Sequence, residues 1–410
     1  MSGGNSIEEG PSQANTDALE GLRVVDLSRY IAGPYCAMLL GDMGADVIKV
    51  EPPGRGEHSR AFGPFVEGES LYTMVFNRNK RSLTLDLRSD RGKGLLRDLL
   101  RDADILVENF VPGTLEKMGF DWDTLQQLNP GLIATRISGF GQTGPLSSMP
   151  CFDVIAQTRS GLMNITGDPD GHPTMAGTYV VDYTTGMYAT IGTLGALQAR
   201  HRTGKGQVVD SALMDSALSM LMTAIPEQML HGRTMTRHGN RDRYAAPANT
   251  FATRDSAWVH LVVAGDPMFR GLARAMGKTD LAEDTRFHSN AARMQNVEEL
   301  EKIISDWAGT LTSTELLDVL AANGVPSAKV ASVADLVDDE HLAHRGQILN
   351  MQHSKAGTVP MQGFPVKLGA SPMRLRHPPP SLGEQTDTVL TEWLKMTPEK
   401  IAGLRADGII

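Results

Sequence analysis

The run Gly21-Leu-Arg-Val-Val-Asp-Leu-Ser-Arg-Tyr30-Ile-Ala-Gly-Pro-Tyr-Cys-Ala-Met-Leu-Leu40-Gly-Asp-Met-Gly-Ala-Asp-Val-Ile-Lys-Val50 decides the fold. Leu22–Leu27 and Val47–Val50 are short apolar runs bounded by turn residues, the pattern of strands. Pro34–Met43 between them has helical spacing, with proline in the first turn, where its missing N–H is harmless. The alternation continues. Ser82–Leu87 reads as a strand, Arg91–Leu100 as a helix, and Ile105–Val107 and Leu132–Ile137 as strands. Strands alternating with helices predict an α/β fold, a parallel sheet with helices packed on it. Ligands of such sheets sit beyond the carboxyl ends of the strands. Ser28–Gly33 and Glu108–Gly113 fall at such ends.

A chain of 410 residues, 41% hydrophobic, is long enough for two domains with their own cores. A net charge of −9 argues against nucleic acid as the main partner. The two cysteines, Cys36 and Cys151, make neither a disulfide framework nor a metal-ligand spacing, so no metal is expected. No run approaches the ~20 apolar residues of a membrane span, and no membrane partner is expected. Residues 1–18 are rich in Ser, Gly, Asn and acids, without a basic start or an apolar core. They read as a disordered tail rather than a leader, and the expected location is cytoplasmic.

The expected layout is a Rossmann-like large domain, 19–210 with 372–410. A linker helix and loop over 211–249 follow, in which Ser211–Met229 reads as one Met-rich helix. Arg233–Arg243 is polar and basic, with Gly239-Asn240 as a candidate lid. A smaller α+β domain spans 250–334, with a strand at Trp258–Val263 and helices at Met268–Met276, Val297–Thr310 and Ser313–Asn323. Residues 335–371 connect it to a terminal helix that returns to the large domain.

The chemistry centres on Met175-Ala-Gly-Thr-Tyr-Val-Val-Asp182-Tyr-Thr-Thr-Gly186. A helix is expected directly after Asp182, with Thr184 or Thr185 as further cap candidates. A carboxylate at a helix N-terminus faces unpaired N–H groups, which favour its ionised form. Such a carboxylate is either a cap that only holds the helix or a nucleophile toward an activated acyl carbon. Gly186, Ala189, Gly192, Gly195 and Ala196 let another backbone approach the helix closely, within the chain or from a second subunit. A nicotinamide site is not expected. Only Gly33 lies in the first strand–helix turn, so the G-x-G-x-x-G fingerprint is missing. Lys80-Arg81 reads as a solvated turn or a phosphate partner.

The stretch around Asp182, with Thr203-Gly-Lys-Gly-Gln207, resembles the class III CoA-transferases, the family of formyl-CoA transferase and the carnitine CoA-transferases. Further blocks are similar and in family order: Leu19–Ser28, Ala32-Gly-Pro34, Gly44–Glu51, Asn77–Ser82, Val107-Glu-Asn-Phe110, Gly139-Phe-Gly-Gln-Thr-Gly-Pro145 and Leu382-Gly-Glu-Gln-Thr386. The resemblance implies no tightly bound cofactor, with coenzyme A and acyl-CoA as substrates. It implies that Asp182 carries the acyl group and then CoA, as an anhydride and a thioester. It places Tyr30, Ile31 and Ala32 against pantetheine or adenine, Leu85 to Arg88 near the adenosine, and Asn109, Phe110 and Val111 along pantetheine. It makes Lys117 the phosphate partner, with Met118 near the adenine and Phe152-Asp153 beside the site. Pro52 stands where some members carry an arginine, and Arg55, Arg60 and Arg88 are the candidate substitutes. The resemblance further implies an interlocked homodimer. The expected activity is CoA transfer from an acyl-CoA, such as succinyl-CoA, to a carboxylic acid. The related α-methylacyl-CoA racemases are the first alternative. They use a His-Asp pair where this chain has Phe152-Asp153, and phenylalanine takes no proton. A non-catalytic acyl-CoA binding protein is the second.

Overall fold

The computed structural model describes residues 17–410. Residues 1–16 of the expected tail lie outside the described residues. Asp17, which the sequence grouped with that tail, instead sits 3.7 Å from Arg376. The chain divides into two compact units. The first holds the described residues up to Ser160, then Gly177–Leu221 and His341–Ile410. The second holds Gly161–Ala176 and Met222–Glu340.

The first unit is built on six strands: β1 (Arg23–Asp26), β2 (Asp46–Glu51), β3 (Lys80–Thr84), β4 (Ile105–Glu108), β5 (Ile133–Ser138) and β6 (Val208–Ala212). All neighbours are parallel, in the order 3-2-1-4-5-6. β1, β2 and β4 are buried along nearly their whole length, which explains why they read as continuous apolar runs. The register aligns Val25 with Ile48 on one side and Leu106 on the other. These residues form one core with Leu95, Leu96, Leu99 and Leu100 of helix α2 (Asp90–Arg101), after helix α1 (Ala32–Asp42). Ser89 caps α2 by accepting the Gly92 N–H at 3.0 Å. Leu390, Trp393, Ile401 and Leu404 from the C-terminal helices complete the same core.

Helix α3 (Asp153–Ser160) precedes the long helix α4 (Val180–Thr203). α4 packs against α1 at Gly186. A Cβ there would lie 2.8 Å from the Ala32 carbonyl oxygen and 2.9 Å from the Tyr35 ring. Gly192 meets Val209 of β6 in the same way, while Gly195 faces open space. Two of the small residues therefore serve contacts within this chain.

Ser211–Met229 is not one helix. β6 runs to Ala212, and helices follow at Leu213–Ser219 and Ala224–His231. Met222 between them takes a left-handed backbone with φ 46°. The overlooked signal is Pro226. It fits the first turn of a new helix but would break the hydrogen-bond ladder of a continuous one.

In the second unit, β7 (Ala248–Ala252), β8 (Trp258–Val262) and β9 (Ser327–Lys329) form an antiparallel sheet with β8 central. Phe251, Val259 and Leu261 pack with Phe269, Leu272, Leu300, Ile304, Leu316 and Leu320 from helices at Asp266–Ala275, Val297–Ala308 and Ser313–Ala322.

Candidate active site

The sheet order reverses at β1 and β4, whose carboxyl ends lie side by side. Such a switch point leaves a crevice between diverging connections. A cleft of about 600 Å³ opens there, lined by Ser28, Arg29, Glu51, Leu85, Arg88 and Phe110 among others. Of the expected CoA contacts, Leu85, Arg88 and Phe110 line this cleft. Asn109 braces its edge instead. Its side chain accepts the Arg29 N–H and donates to the Arg29 carbonyl, both at 2.7 Å. Ile31 and Ala32 are buried, and neither lines the cleft. Gly33 is required beside them, because a Cβ would lie 2.3 Å from the Ser28 Cβ. Val111 and Lys117 are exposed, and Met118 packs partly against the core; none of the three lines the cleft.

The three candidate substitutes for the arginine missing at Pro52 separate cleanly. Arg60 is committed to Glu51 through two hydrogen bonds of 2.7 Å. Arg55 and Arg88 line the cleft. A third cation there, Arg29, was missed in the sequence. Its guanidinium lies 4.8 Å over the Phe110 ring. Its position just past the end of the first strand was the available signal. Lys80 and Arg81 are neither solvated nor free. Lys80 is buried and bonds Asp26 and the Pro34 carbonyl at 2.8 Å, and Arg81 pairs with Asp46 and Glu392.

Asp182 is not the helix cap. α4 begins two residues earlier at Val180, with Tyr179 at the N-cap and no side-chain cap bond from it. Asp182 is the third residue of the first turn. The free N–H groups are taken by Asp153, whose carboxylate accepts from Val181 at 2.8 Å and Asp182 at 2.9 Å. Thr184 and Thr185 donate back to Val180 and Val181 rather than capping. Among the described residues no hydrogen bond reaches the Asp182 carboxyl. The expectation that helix donors hold it ionised therefore fails. Burial and, second, the like charge of Asp153 push its pKa up to about 7.

A wall of aromatic rings runs from the cleft turn to this carboxyl. Phe152 meets Tyr30 edge-on at 5.4 Å, Tyr30 lies 6.2 Å from Phe62, and Phe62 lies 5.5 Å from Tyr72. Phe76 joins Tyr72 at 5.9 Å to Tyr183 at 5.7 Å. Burial and, further, the charge of Asp182 raise the Tyr72 and Tyr183 phenols. The Cys151 thiol is pushed up to about 11 by burial first and Asp182 second. Cys151 is thus a neutral neighbour of Asp182, not a rival nucleophile.

Gly239 and Asn240 belong to the second unit and are tied within it. The Gly239 N–H donates to the Gly167 carbonyl at 2.9 Å, and Asn240 donates to Thr250 at 2.8 Å. Arg241 beside them pairs with Glu301 at 2.6 Å.

The first unit thus presents a cleft lined by Arg29, Arg55 and Arg88 together with Glu51, Glu57 and Asp86, and a carboxyl whose pKa is near neutrality. Such a carboxyl has its lone pairs free for an electrophile. The family model of CoA-transferase family III matches residues 19–386. The chain is 38% identical over 400 residues to succinyl-CoA–D-citramalate CoA-transferase of Chloroflexus aurantiacus, covering 97% of this chain and 100% of that protein. It is 34% identical over 414 residues to succinyl-CoA:glutarate CoA-transferase of Mus musculus, covering 100% of this chain and 95% of that protein. Among solved structures, a CAIB/BAIF family protein from Brucella suis superposes with a TM-score of 0.83 at 36% identity, covering 92% of this chain and 100% of that one.

Proposed function

The chain belongs to CoA-transferase family III and uses CoA thioesters as substrates, and from that premise we propose that Asp182 is the covalent carrier of a transfer from a dicarboxylyl-CoA, such as succinyl-CoA, to a free carboxylic acid. The observation that carries this reading is the division of labour between two aspartates. Asp153 caps the helix, and among the described residues Asp182 is left without a hydrogen bond at its carboxyl.

The Asp182 carboxylate attacks the thioester carbonyl and expels CoA as thiolate, leaving a mixed anhydride. The thiolate attacks the aspartyl carbonyl of that anhydride. The donor acid leaves as a carboxylate, and Asp182 becomes a CoA thioester. The acceptor carboxylate attacks this thioester, the thiolate leaves again, and it finally takes the new acyl group from the second anhydride, freeing Asp182. Every step exchanges one acyl bond for another, so no water enters. The aromatic wall from Tyr30 to Tyr183 supplies apolar cover beside the carboxyl.

We place the CoA phosphates among Arg29, Arg55 and Arg88, which line the cleft with Phe110, with Lys117, outside that lining, as a further phosphate partner and Asn109, Phe110 and Val111 along the pantetheine arm. The strand order 3-2-1-4-5-6 supports the Rossmann-like reading of this unit. The preference for dicarboxylates is supported by relatives whose names carry succinyl-CoA with citramalate, malate or glutarate. An interlocked homodimer is supported by Met187, Tyr188 and Ile191, large apolar residues of α4 exposed on the single chain. A cytoplasmic location is part of the same proposal. Among the described residues no helix is long and apolar enough to cross a membrane.

The test is a panel of mono- and dicarboxylic acids incubated with succinyl-CoA, with the CoA esters separated by chromatography. New dicarboxylyl-CoA esters are expected. Transfer to monocarboxylates alone would contradict the substrate class, and hydrolysis without transfer would contradict the mechanism.

A further inference from the structure

The turn Ser28–Tyr30 shapes the cleft, and every one of its residues is held from outside the turn. The Ser28 N–H donates to Asp26 at 2.9 Å. Asn109 brackets Arg29 on both its N–H and its carbonyl. The Tyr30 N–H donates to Glu57 at 2.9 Å. Tyr30 has φ 64°, a left-handed backbone that a side chain as large as tyrosine adopts only under constraint.

Beneath the turn lies Lys49 of β2, fully buried. Its ammonium donates to the Ser28 carbonyl and stands 3.1 Å from Glu57 Oε1 and 3.9 Å from Asp26. Glu57 Oε1 is itself buried and meets no donor besides this ammonium among the described residues. One cation thus fixes the turn at both ends, directly through Ser28 and through Glu57 at Tyr30. Burial lowers the Lys49 pKa, but Asp26, Glu57 and Glu51 together outweigh it and hold the group charged.

We propose that Lys49 is a positioning residue for acyl-CoA: paired with Glu57, it locks the turn Ser28–Tyr30 in the conformation that presents Arg29 and the turn backbone to CoA. The proposal rests on the placement of CoA in the cleft. Lys49 does not line the cleft and acts only through its two partners. The pair costs desolvation, and a buried ion pair is weak evidence of stability. Its use here is to fix one backbone state.

The experiment compares Glu57→Gln and Lys49→Met with wild type, using free CoA as the probe in calorimetric titration. Amide hydrogen exchange of the peptide covering residues 28–31 is followed in the same proteins. Faster exchange is expected in both variants, with the CoA Kd raised about tenfold or more. The KM for acyl-CoA should rise in step, while kcat at saturation changes by less than about twofold. If Lys49→Met does not fold, Glu57→Gln carries the test. A lower thermal midpoint with unchanged exchange and an unchanged CoA Kd would make the pair merely structural and overturn the proposal. Arg29→Ala and Arg88→Ala serve as controls. If they bind CoA like wild type, the cleft placement itself is wrong. If they bind it weakly and Glu57→Gln does not, only the positioning role falls.

Discussion

The Asp153 carboxylate accepts the backbone N–H of Asp182 at 2.9 Å, so the aspartate that holds the helix start is not the aspartate within its first turn. The consequence is electrostatic. Asp153 takes the helix donors that would otherwise stabilise an ionised Asp182, and adds a like charge beside it. The Asp182 pKa is raised to about 7, and among the described residues its oxygens accept no hydrogen bond. A strongly stabilised carboxylate would be a poorer nucleophile than this one.

Asp153→Asn should separate these two effects. Asparagine keeps the acceptor for the Val181 and Asp182 N–H groups but removes the charge. Asp182 must be ionised to attack, so wild-type kcat/KM for acyl-CoA should rise with pH through about 7. In the variant the midpoint should fall by up to about one unit, since burial remains. A pH profile with the wild-type midpoint would contradict the coupling.

The same shift has a signed effect on stability. The Asp182 pKa is raised from 3.8 to about 7 in the folded protein. Between those values the folded chain holds a proton that the unfolded chain has lost, so stability falls as pH rises, and the cost is complete above the upper value. Asp182→Asn removes the ionisation. At pH 8 it should be more stable than wild type by about 1–2 kcal/mol, allowing for solvent screening of a partly open group. The gap should shrink toward pH 4. Urea melts at the two pH values check this, and a gap that does not depend on pH would contradict it.

Gly186→Ala should push α4 off α1, because the new Cβ would meet the Ala32 carbonyl oxygen at 2.8 Å. Overpacking should outweigh the helix preference for alanine and destabilise by about 1–2 kcal/mol net. Because Asp182 lies one turn away, kcat should fall as well. A thermal midpoint equal to wild type would show that the two helices yield freely.

β1, β2 and β4 were legible because they are buried nearly throughout and read as unbroken apolar runs, whereas β6, half-exposed, was not read as a strand. β1, β2 and β4 start or end within one residue or two of their expected positions. Ser211–Met229 misread because methionine and leucine suit a helix at every position and the break rests on Pro226 and a left-handed Met222. The excursion of Gly161–Ala176 into the second unit has no composition shift to mark it. Asp182 was singled out by its neighbours in sequence, but the residue that caps its helix was not. Asp153 lies 29 residues away in the chain, and only packing brings it to the helix start. Arg60 looked like a phosphate ligand because nothing in the sequence marks its pairing with Glu51, nine residues earlier.

The cleft cations should differ from their neighbours in kind. Arg29→Ala and Arg88→Ala should raise the KM for acyl-CoA, each by about tenfold, with a smaller effect from Lys117, which lies outside the cleft lining. Arg60→Ala should instead leave the buried Glu51 unpaired and destabilise the fold by about 3 kcal/mol. Steady-state kinetics with thermal melts sort the four. A stability loss without a KM change at Arg29 or Arg88 would contradict their placement.

The proposed dimer should sediment at twice the 44.3 kDa of the chain and resist dilution. Its interface should far exceed the ~1,600 Å² of a standard complex. An active species with the mass of one chain would contradict it.

The central claim is that Asp182 carries the acyl group and then CoA. The most direct measurement is mass spectrometry of the protein after incubation with acyl-CoA and quenching with hydroxylamine, run beside turnover by Asp182→Asn. The account predicts a hydroxamate at Asp182 and at no other carboxylate. It also predicts no turnover by the variant, which should still fold and still bind CoA. Asparagine is nearly isosteric with aspartate, and the Asp182 carboxyl makes no hydrogen bond among the described residues, so a residue with only a structural role would tolerate the change. Near-wild-type turnover by Asp182→Asn, with conversion back to aspartate excluded by the same mass spectra, would contradict the account.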